Sequence, residues 1–535
     1  MKLRKTNIEK LSQSQYDVLI IGGGINGAVS AASLAGKGVK TALIDQGDFA
    51  GMTSQESSNL AWGGIKYLET FEIGLVRKLC KCRNQLMRAY PSTVKEIRFF
   101  TTISKGFRYP PVIIWLGTWF YWFIGFFFTR PPRYLTKNRI KKEEPVVNID
   151  QATGGFEYSD AYLYDNDSRF VFSFIRSALT YGCTAANYVE LLKAKKDNNG
   201  MWISTVKDRE SGATFEVRSK VLINAAGPLA DSLNEQLEQK TKHHLVLSKG
   251  IHLLVKRVTP HQRVLTFFAS DGRLFFVIPM GGRTCIGTTD TPVDEPTKTV
   301  TQEDREFVLN NINARLNLTE PITEQDIIAE RCGVRPLVVE GQSSGGKDWM
   351  QLSRKHEVET NTTDRFLTVF GGKLTDCLNV GDEVSETVQK MGVSIPYPDY
   401  QWYGEPDANI KSRFQHQARL MGLDNYTSSG ASELLSSRLW RRYGTAAFSM
   451  LERIQEDPAE AEVLIEGTEY TRVELQETAE REMVLELEDF LRRRSKIALV
   501  ERQESIRSSP GLMEACEILF GDQAQAKLDR YFKKQ

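Results

Sequence analysis

The chain has 535 residues, 69 basic and 68 acidic side chains, and a formal charge of +1. That length exceeds what one hydrophobic core usually serves, so two or three domains are expected, and the balanced charge argues against nucleic acid as a partner. The seven cysteines (80, 82, 183, 285, 332, 377 and 516) are odd in number and include no CxxC pair, which argues against a disulfide framework and for a reducing compartment.

Residues 1–15 are polar and charged and do not read as a signal peptide. An apolar run from Tyr16 to Ile21 then ends in Gly22-x-Gly24-x-x-Gly27 and passes into a helix-like stretch from Ala28. A second apolar run, Lys40 to Ile44, ends at the acid Asp45. This order fits a dinucleotide site. Gly22 permits the tight turn, Gly24 lets the backbone approach a pyrophosphate, and Gly27 lets the helix lie close on the strand. Ile25 and Asn26 begin the helix whose free N–H groups face the anion, and Asp45 is placed to accept ribose hydroxyls. Residues 51–68 follow, rich in Ser, Thr and Gly and closing with Lys66 and Tyr67. Thr53, Ser54, Ser58, Gly63 and Gly64 would supply hydroxyl and backbone donors around a cofactor.

Residues 73–90 read as a helix; Cys80 and Cys82 within it have neither redox nor zinc spacing. From Val112 to Phe128 only Gly117, Thr118 and Gly125 are not large and apolar or aromatic, and basic residues flank both sides. A helix of that length spans about 26 Å, short of the roughly 30 Å hydrocarbon core. A helix lying in one leaflet, anchored by its rings and basic flanks, is the expectation for residues 110–130; a buried core helix and a single span are the alternatives.

Asp165 to Arg169 cap a helix running to about Tyr181. Strand-like pieces at 187–196, 201–208 and 213–224 form a meander with Gly turns, and the last ends in Ala225-Ala226-Gly227. A β-rich block covers about 245–292 and a helix 302–316. The strand Phe366–Phe370 runs into Gly371-Gly372-Lys373-Leu374-Thr375 and a helix to about 391, and Pro396 and Pro398 mark a boundary to a charged, helical segment. Only one fingerprint is present, so NAD or FAD would fit it. The distant Gly turns at 227 and 371–372 suit a long cofactor, and a helix start after Lys373 suits the pyrimidine end of a flavin, which favours FAD.

The chain resembles the FAD-dependent glycerol-3-phosphate dehydrogenases, within the flavoprotein class that also holds the D-amino-acid and glycine oxidases. The resemblance rests on Ile20 to Gly27, Gly63 to Glu69, Gly155 to Asp160, Asn224 to Pro228, Lys249 to His252, Ile286 to Asp290, Gly333 to Leu337 and Phe370 to Thr375. It implies an α/β fold: a Rossmann-like FAD-binding domain, an inserted α+β substrate domain and an all-α C-terminal cap. The FAD-dependent region would cover 1–395, with FAD-binding segments about 15–90, 155–235 and 325–395 and substrate-domain insertions about 95–150 and 240–325. The cap would cover 396–535.

The resemblance further implies oxidation of sn-glycerol 3-phosphate to dihydroxyacetone phosphate, with electrons passing to a membrane quinone. The chain would then sit in the cytoplasm at the inner face of the membrane, and a homodimer is compatible with that. Arg335 and Lys373 take the place of substrate-phosphate and flavin-side cations, with Lys66 and Tyr67 beside them. A base near the flavin must take the hydroxyl proton, and His252, Tyr67 or a lysine are the available groups. Two departures stand at the reacting end. Trp62 and Lys66 replace the family's His and Arg, exchanging a bidentate guanidinium for a point charge, and Asp376-Cys377-Leu378 replaces Thr-Tyr-Arg. The alternatives are therefore a related oxidoreductase acting on another hydroxy acid, phosphorylated alcohol or amine, and a non-catalytic FAD-binding protein.

Overall fold

A computed structural model describes residues 2–269, 272–296, 299–341 and 355–533. Its first sheet has eight strands, six of them in the order Glu357–Asn361, Phe366–Phe370, Thr214–Asn224, Gln15–Ile21, Thr41–Ile44, Thr184–Ala186. All these neighbours are parallel except the first pair. The remaining two strands, Val189–Lys196 and Trp202–Asp208, fold back antiparallel onto Thr214–Asn224 as the expected meander.

The apolar run before the fingerprint is continuous because this strand is covered on both faces. Val18 and Ile20 enter a core with helices Ile25–Gly36, Asp167–Thr180 and Cys377–Lys390. Leu19 and Ile21 enter a second core with helices Lys2–Gln13 and Ala230–Gln236. Each such side chain contributes about 1.5–3 kcal/mol on burial.

The second sheet has ten strands and is mostly antiparallel. Its long pairs are Val94–Ser104 with Ala152–Leu163 and His243–Lys256 with Ala329–Glu340. The sequence-based segments 155–235 and 325–395 therefore each give one strand to this sheet rather than lying wholly in the cofactor sheet. A strand goes where its hydrogen-bonding partner is, and both partners lie here. Residues 342–354 of the latter segment lie outside the described residues. Side chains alternate across His243–Lys256: Ile251, Leu253 and Val255 pack toward helix Gln302–Arg315. His252 and Leu254 consequently face the other way, toward the cofactor side.

The C-terminal segment is helical from Ala408 to Lys533 around two small cores. One stretch, Asp489–Arg494, is a π-helical turn.

The aromatic segment forms a helix over Pro111–Ile124, 14 residues against the 17 expected, starting on a proline at its first turn as that residue favours. It is not uniform around its axis. Thr118, Tyr121 and Ile124 are buried, whereas Val112, Ile113, Leu116, Trp119, Phe120 and Phe123 are exposed, as are Phe126 and Phe127 after it. Among the described residues no helix is long and apolar enough to cross a membrane.

Candidate active site

The fingerprint turn closes on itself tightly. A Cβ on Gly27 would meet the Gly22 carbonyl oxygen at 1.8 Å, and Gly22 sits at φ +104° with a built Cβ 2.5 Å from the Ala225 carbonyl oxygen. Only glycine fits either place. Helix Ile25–Gly36 begins at Gly24, which supplies no side-chain cap, so its first N–H groups face the groove. The Ile25 N–H donates to Ser54 Oγ at 2.9 Å. Asp45, at the end of the next strand, accepts from the Gly23 and Gly47 N–H groups at 2.6 and 2.8 Å. Burial pushes its carboxyl up to about 6 against those two bonds. Ala226 lines the same cavity as Gly22 and Asp45, and Gly227 opens a short turn at φ +60°. The cradle is one that a side chain would fill, and it is built from backbone donors and one carboxylate, which suits a dinucleotide.

The second glycine turn meets the first. Gly371 and Gly372 have φ of +61° and +96°, and the Gly371 carbonyl accepts from Asn26 Nδ2 at 2.9 Å. The chain then makes a short 3-10 turn, Leu374–Asp376, before the expected helix, which begins at Cys377. Thr375 Oγ1 donates to the Trp62 carbonyl at 3.2 Å, and Lys373 Nζ lies 3.9 Å from the centre of the Tyr67 ring. Thr53 is tied to the Val334 carbonyl at 2.6 Å; Ser58 is half-buried in the same loop. Lys66 is exposed on the turn Ile65–Leu68.

Arg335 is held in one orientation. Nη2 donates to Thr288 Oγ1 at 2.9 Å, and Nη1 pairs with Asp290 Oδ1 at 3.2 Å. Its guanidinium lies over Gly250, where a built Cβ would meet it at 2.2 Å. Two residues along that strand, His252 is buried, and among the described residues neither ring nitrogen has a hydrogen-bond partner. Burial, then the charges of Arg331 and Arg335, holds its pKa well below the ordinary value, so the ring is neutral. Gly287 lies opposite both His252 and Phe276, and the Phe276 ring packs edge-on against Trp62 at 6.3 Å. Arg335, His252, Trp62, Tyr67 and Lys373, far apart in sequence, thus converge.

Several residues here went unremarked in the sequence. Arg331 is fully buried, bonded through Nη2 to Asp167 and to the Gln55 carbonyl at 2.5 and 2.6 Å. Strand alternation puts it on the face of Gly333 and Arg335, which was a usable signal. Asp160 accepts from the Gly63 N–H at 3.1 Å, from Arg83 at 2.7 Å and from the Tyr121 hydroxyl at 2.9 Å. The aromatic helix is thereby tied to the loop that carries Gly63 and Gly64. Asp376 is met by His356, whose Nδ1 lies 2.5 Å from Oδ2, while its Nε2 reaches Glu383 at 2.9 Å. Burial lowers the His356 pKa, but the bonds to both carboxylates outweigh it and raise it to about 8. The anion at 376 therefore has an imidazolium partner, which it shares with Glu383.

The family model for FAD dependent oxidoreductases matches residues 17–367, and that for the C-terminal domain of alpha-glycerophosphate oxidase matches residues 404–526. The aerobic glycerol-3-phosphate dehydrogenase of Staphylococcus epidermidis is 30% identical over 512 residues, covering 92% of this chain and 89% of the relative. The chain belongs to the FAD-dependent oxidoreductases, in the glycerol-3-phosphate dehydrogenase branch. Other members of that branch are similar too. The aerobic glycerol-3-phosphate dehydrogenase of Bacillus subtilis is 33% identical over 396 residues, 72% of this chain and 69% of the relative. The solved glycerol-3-phosphate dehydrogenase of Bacillus halodurans, complexed with FAD, superposes with a TM-score of 0.74 at 25% identity, covering 100% of this chain and 97% of that one. For a flavoprotein of this branch the cofactor is FAD, and the glycine cradle, the helix start at Ile25 and Asp45 are the groups that fit it.

Proposed function

We propose that the chain oxidises sn-glycerol 3-phosphate to dihydroxyacetone phosphate and passes the electrons to a membrane quinone. The observation that carries this reading is the pairing of a fixed guanidinium, Arg335, with a buried, neutral His252 whose nitrogens lack partners. A buried polar group without a partner is costly, and a substrate hydroxyl would relieve it. His252 is the base we assign to the C2 hydroxyl proton, Arg335 and Lys373 bind the phosphate and the flavin side, and Tyr67 holds Lys373. Bound FAD supplies the hydride acceptor. The cofactor-binding residues we assign are Gly22, Gly24, Ile25, Asn26, Gly27, Asp45, Thr53, Ser54, Ser58, Gly63, Gly64, Ala226, Gly227 and Gly371 to Thr375, in a division of 1–395 and 396–535.

The test is anaerobic: glycerol 3-phosphate should bleach the bound flavin. If the flavin stays oxidised, the substrate assignment fails and the cofactor assignment stands. Two observations favour a second reading, in which the same site takes another phosphorylated alcohol, hydroxy acid or amine. Trp62 Nε1 is committed to the Tyr158 hydroxyl at 3.0 Å, and Lys66 is exposed. A panel of such reductants in the same assay separates the two.

We also propose that the helix Pro111–Ile124 lies in one leaflet of the membrane, placing the chain, alone or as a homodimer, at the inner face of the cytoplasmic membrane beside its quinone. Its exposed rings form one apolar patch, and Arg77 lies over the Phe126 ring at 5.5 Å. Phe71 and Ile73, also exposed, precede Arg77 closely. Replacing Phe120 and Phe123 by Ser removes two insertions worth about 1.5–3 kcal/mol each. Vesicle binding in a sedimentation assay should drop at least about 100-fold; unchanged binding would remove this helix from the interface.

A further inference from the structure

The cofactor groove has a wall that no motif announced. A cavity of about 850 Å³ beside the fingerprint is lined on one side by Gly22, Asp45 and Ala226. On the other side it is lined by Leu487, Glu488, Arg530 and Tyr531. All four of the latter belong to the C-terminal helical segment, and Arg530 and Tyr531 lie on its last helix, Ala524–Lys533.

That segment is not loosely apposed. Arg493 Nε meets Asp48 Oδ2 at 2.7 Å, and Arg494 Nη2 meets Asp48 Oδ1 at 2.8 Å. Arg492 reaches Glu56 at 2.7 Å, and the Tyr188 hydroxyl donates to Asp489 at 2.7 Å. Asp48 and Glu56 bracket the loop that begins just after Asp45, so these pairs clamp the segment onto the rim of the groove. Arg530 is steadied by Glu486 at 2.7 Å, and the buried Tyr531 anchors the same helix in the segment's core, its hydroxyl accepting from Gln503 at 3.2 Å.

The volume falls in the range of small-ligand sites. The side of Asp45 offers an acceptor for ribose hydroxyls, and the opposite side offers the half-exposed planar guanidinium of Arg530. A flat cationic surface of this kind suits a purine.

We propose that the C-terminal helical segment forms one wall of the adenosine pocket, with Arg530 against the adenosine half of FAD. Cofactor and docked segment then stabilise each other, because a ligand that contacts both binds only when they are together. The proposal rests on the FAD assignment and extends it to a segment outside the family's cofactor-binding region.

Hydrogen exchange of the full chain, apo and FAD-loaded, tests it. Amides of residues 486–488 and 524–533 should exchange at least about tenfold more slowly with FAD, and saturating AMP alone should give the same protection. FAD binding without that protection overturns the proposal and leaves the cofactor assignment standing. Protection by FAD but not by AMP assigns the effect to the other end of the cofactor and also overturns it. No FAD binding at all overturns both. As a second measurement, Arg530→Ala, at a half-exposed position, should leave apo-protein melting unchanged and weaken FAD binding about tenfold, near 1.4 kcal/mol. An unchanged Kd removes Arg530 from the pocket.

Discussion

The two ends of the cofactor groove are built by opposite means. At the adenosine end the glycine cradle is local: residues 20–27 and 41–45 lie in one strand–helix–strand unit, and its shape is set by backbone geometry. At the reacting end, residues 62–67, 250–252, 287–290, 331–335 and 371–376 come from five stretches and two sheets. Backbone contacts tolerate change in neighbouring side chains but not in the glycines. Side-chain contacts tolerate drift in the backbone but depend on charge and hydrogen-bond form. Specificity can therefore change at one end while the cofactor is kept at the other, as Trp62, Lys66 and Asp376 illustrate.

The largest effect should come from breaking the adenosine end. Gly27→Val forces a Cβ to within 1.8 Å of the Gly22 carbonyl oxygen, and the purified chain should carry no flavin, read as flavin absorbance per chain. A variant that still loads FAD would show that this turn has slack the packing denies. At the reacting end the effect should be smaller and of a different kind. Arg335→Lys keeps the charge but loses the fork that Thr288 and Asp290 orient. Glycerol 3-phosphate kcat/KM should fall about 100-fold, near 2.7 kcal/mol, at full FAD occupancy. Loss of FAD together with activity would collapse the distinction between the ends.

The smallest effect concerns the pair under the second glycine turn. The pKa of His356 is raised from 6.5 to about 8, a shift worth ~2 kcal/mol. Because the folded value is the higher one, this stabilisation is complete below about pH 6.5 and is lost as pH rises through about 8. Thermal unfolding of His356→Gln should therefore fall below that of the unaltered chain at pH 6 and approach it at pH 9. An equal deficit at both pH values would mean that packing, not charge, holds this corner.

Much of this was legible from residue order. The Gly22–Gly27 turn with Asp45 is a local pattern with a fixed physical meaning, and the meander at 187–224 follows from Gly turns between β-patterned runs. The His252 position was legible as a residue but not as an environment: its burial depends on the opposing strand Arg283–Gly287 and on Arg331. The pairing of His356 with Asp376 had no signal, since the antiparallel strands Glu357–Asn361 and Phe366–Phe370 bring together residues 20 apart. The aromatic segment carries large apolar or aromatic residues at all but three positions from Val112 to Phe128, and only its packing shows a narrow buried face at Thr118, Tyr121 and Ile124.

Residue order by itself determined the dinucleotide site, because it rests on glycines and an acid whose roles are set within about thirty residues of chain; the cofactor class and the family needed the further motifs spread from residue 63 to 375. Tertiary structure alone decided the charge state of His252, the pairing of Asp376 with His356, the exposed face of the aromatic helix and the approach of Arg530 to the cavity beside the fingerprint. Desolvation and long-range ion pairing depend on which surfaces meet, and the spacing of residues along a chain does not encode that. The fingerprint thus marks a dinucleotide site, while the clamp between Asp48 and Arg493–Arg494 fixes the C-terminal segment at its rim.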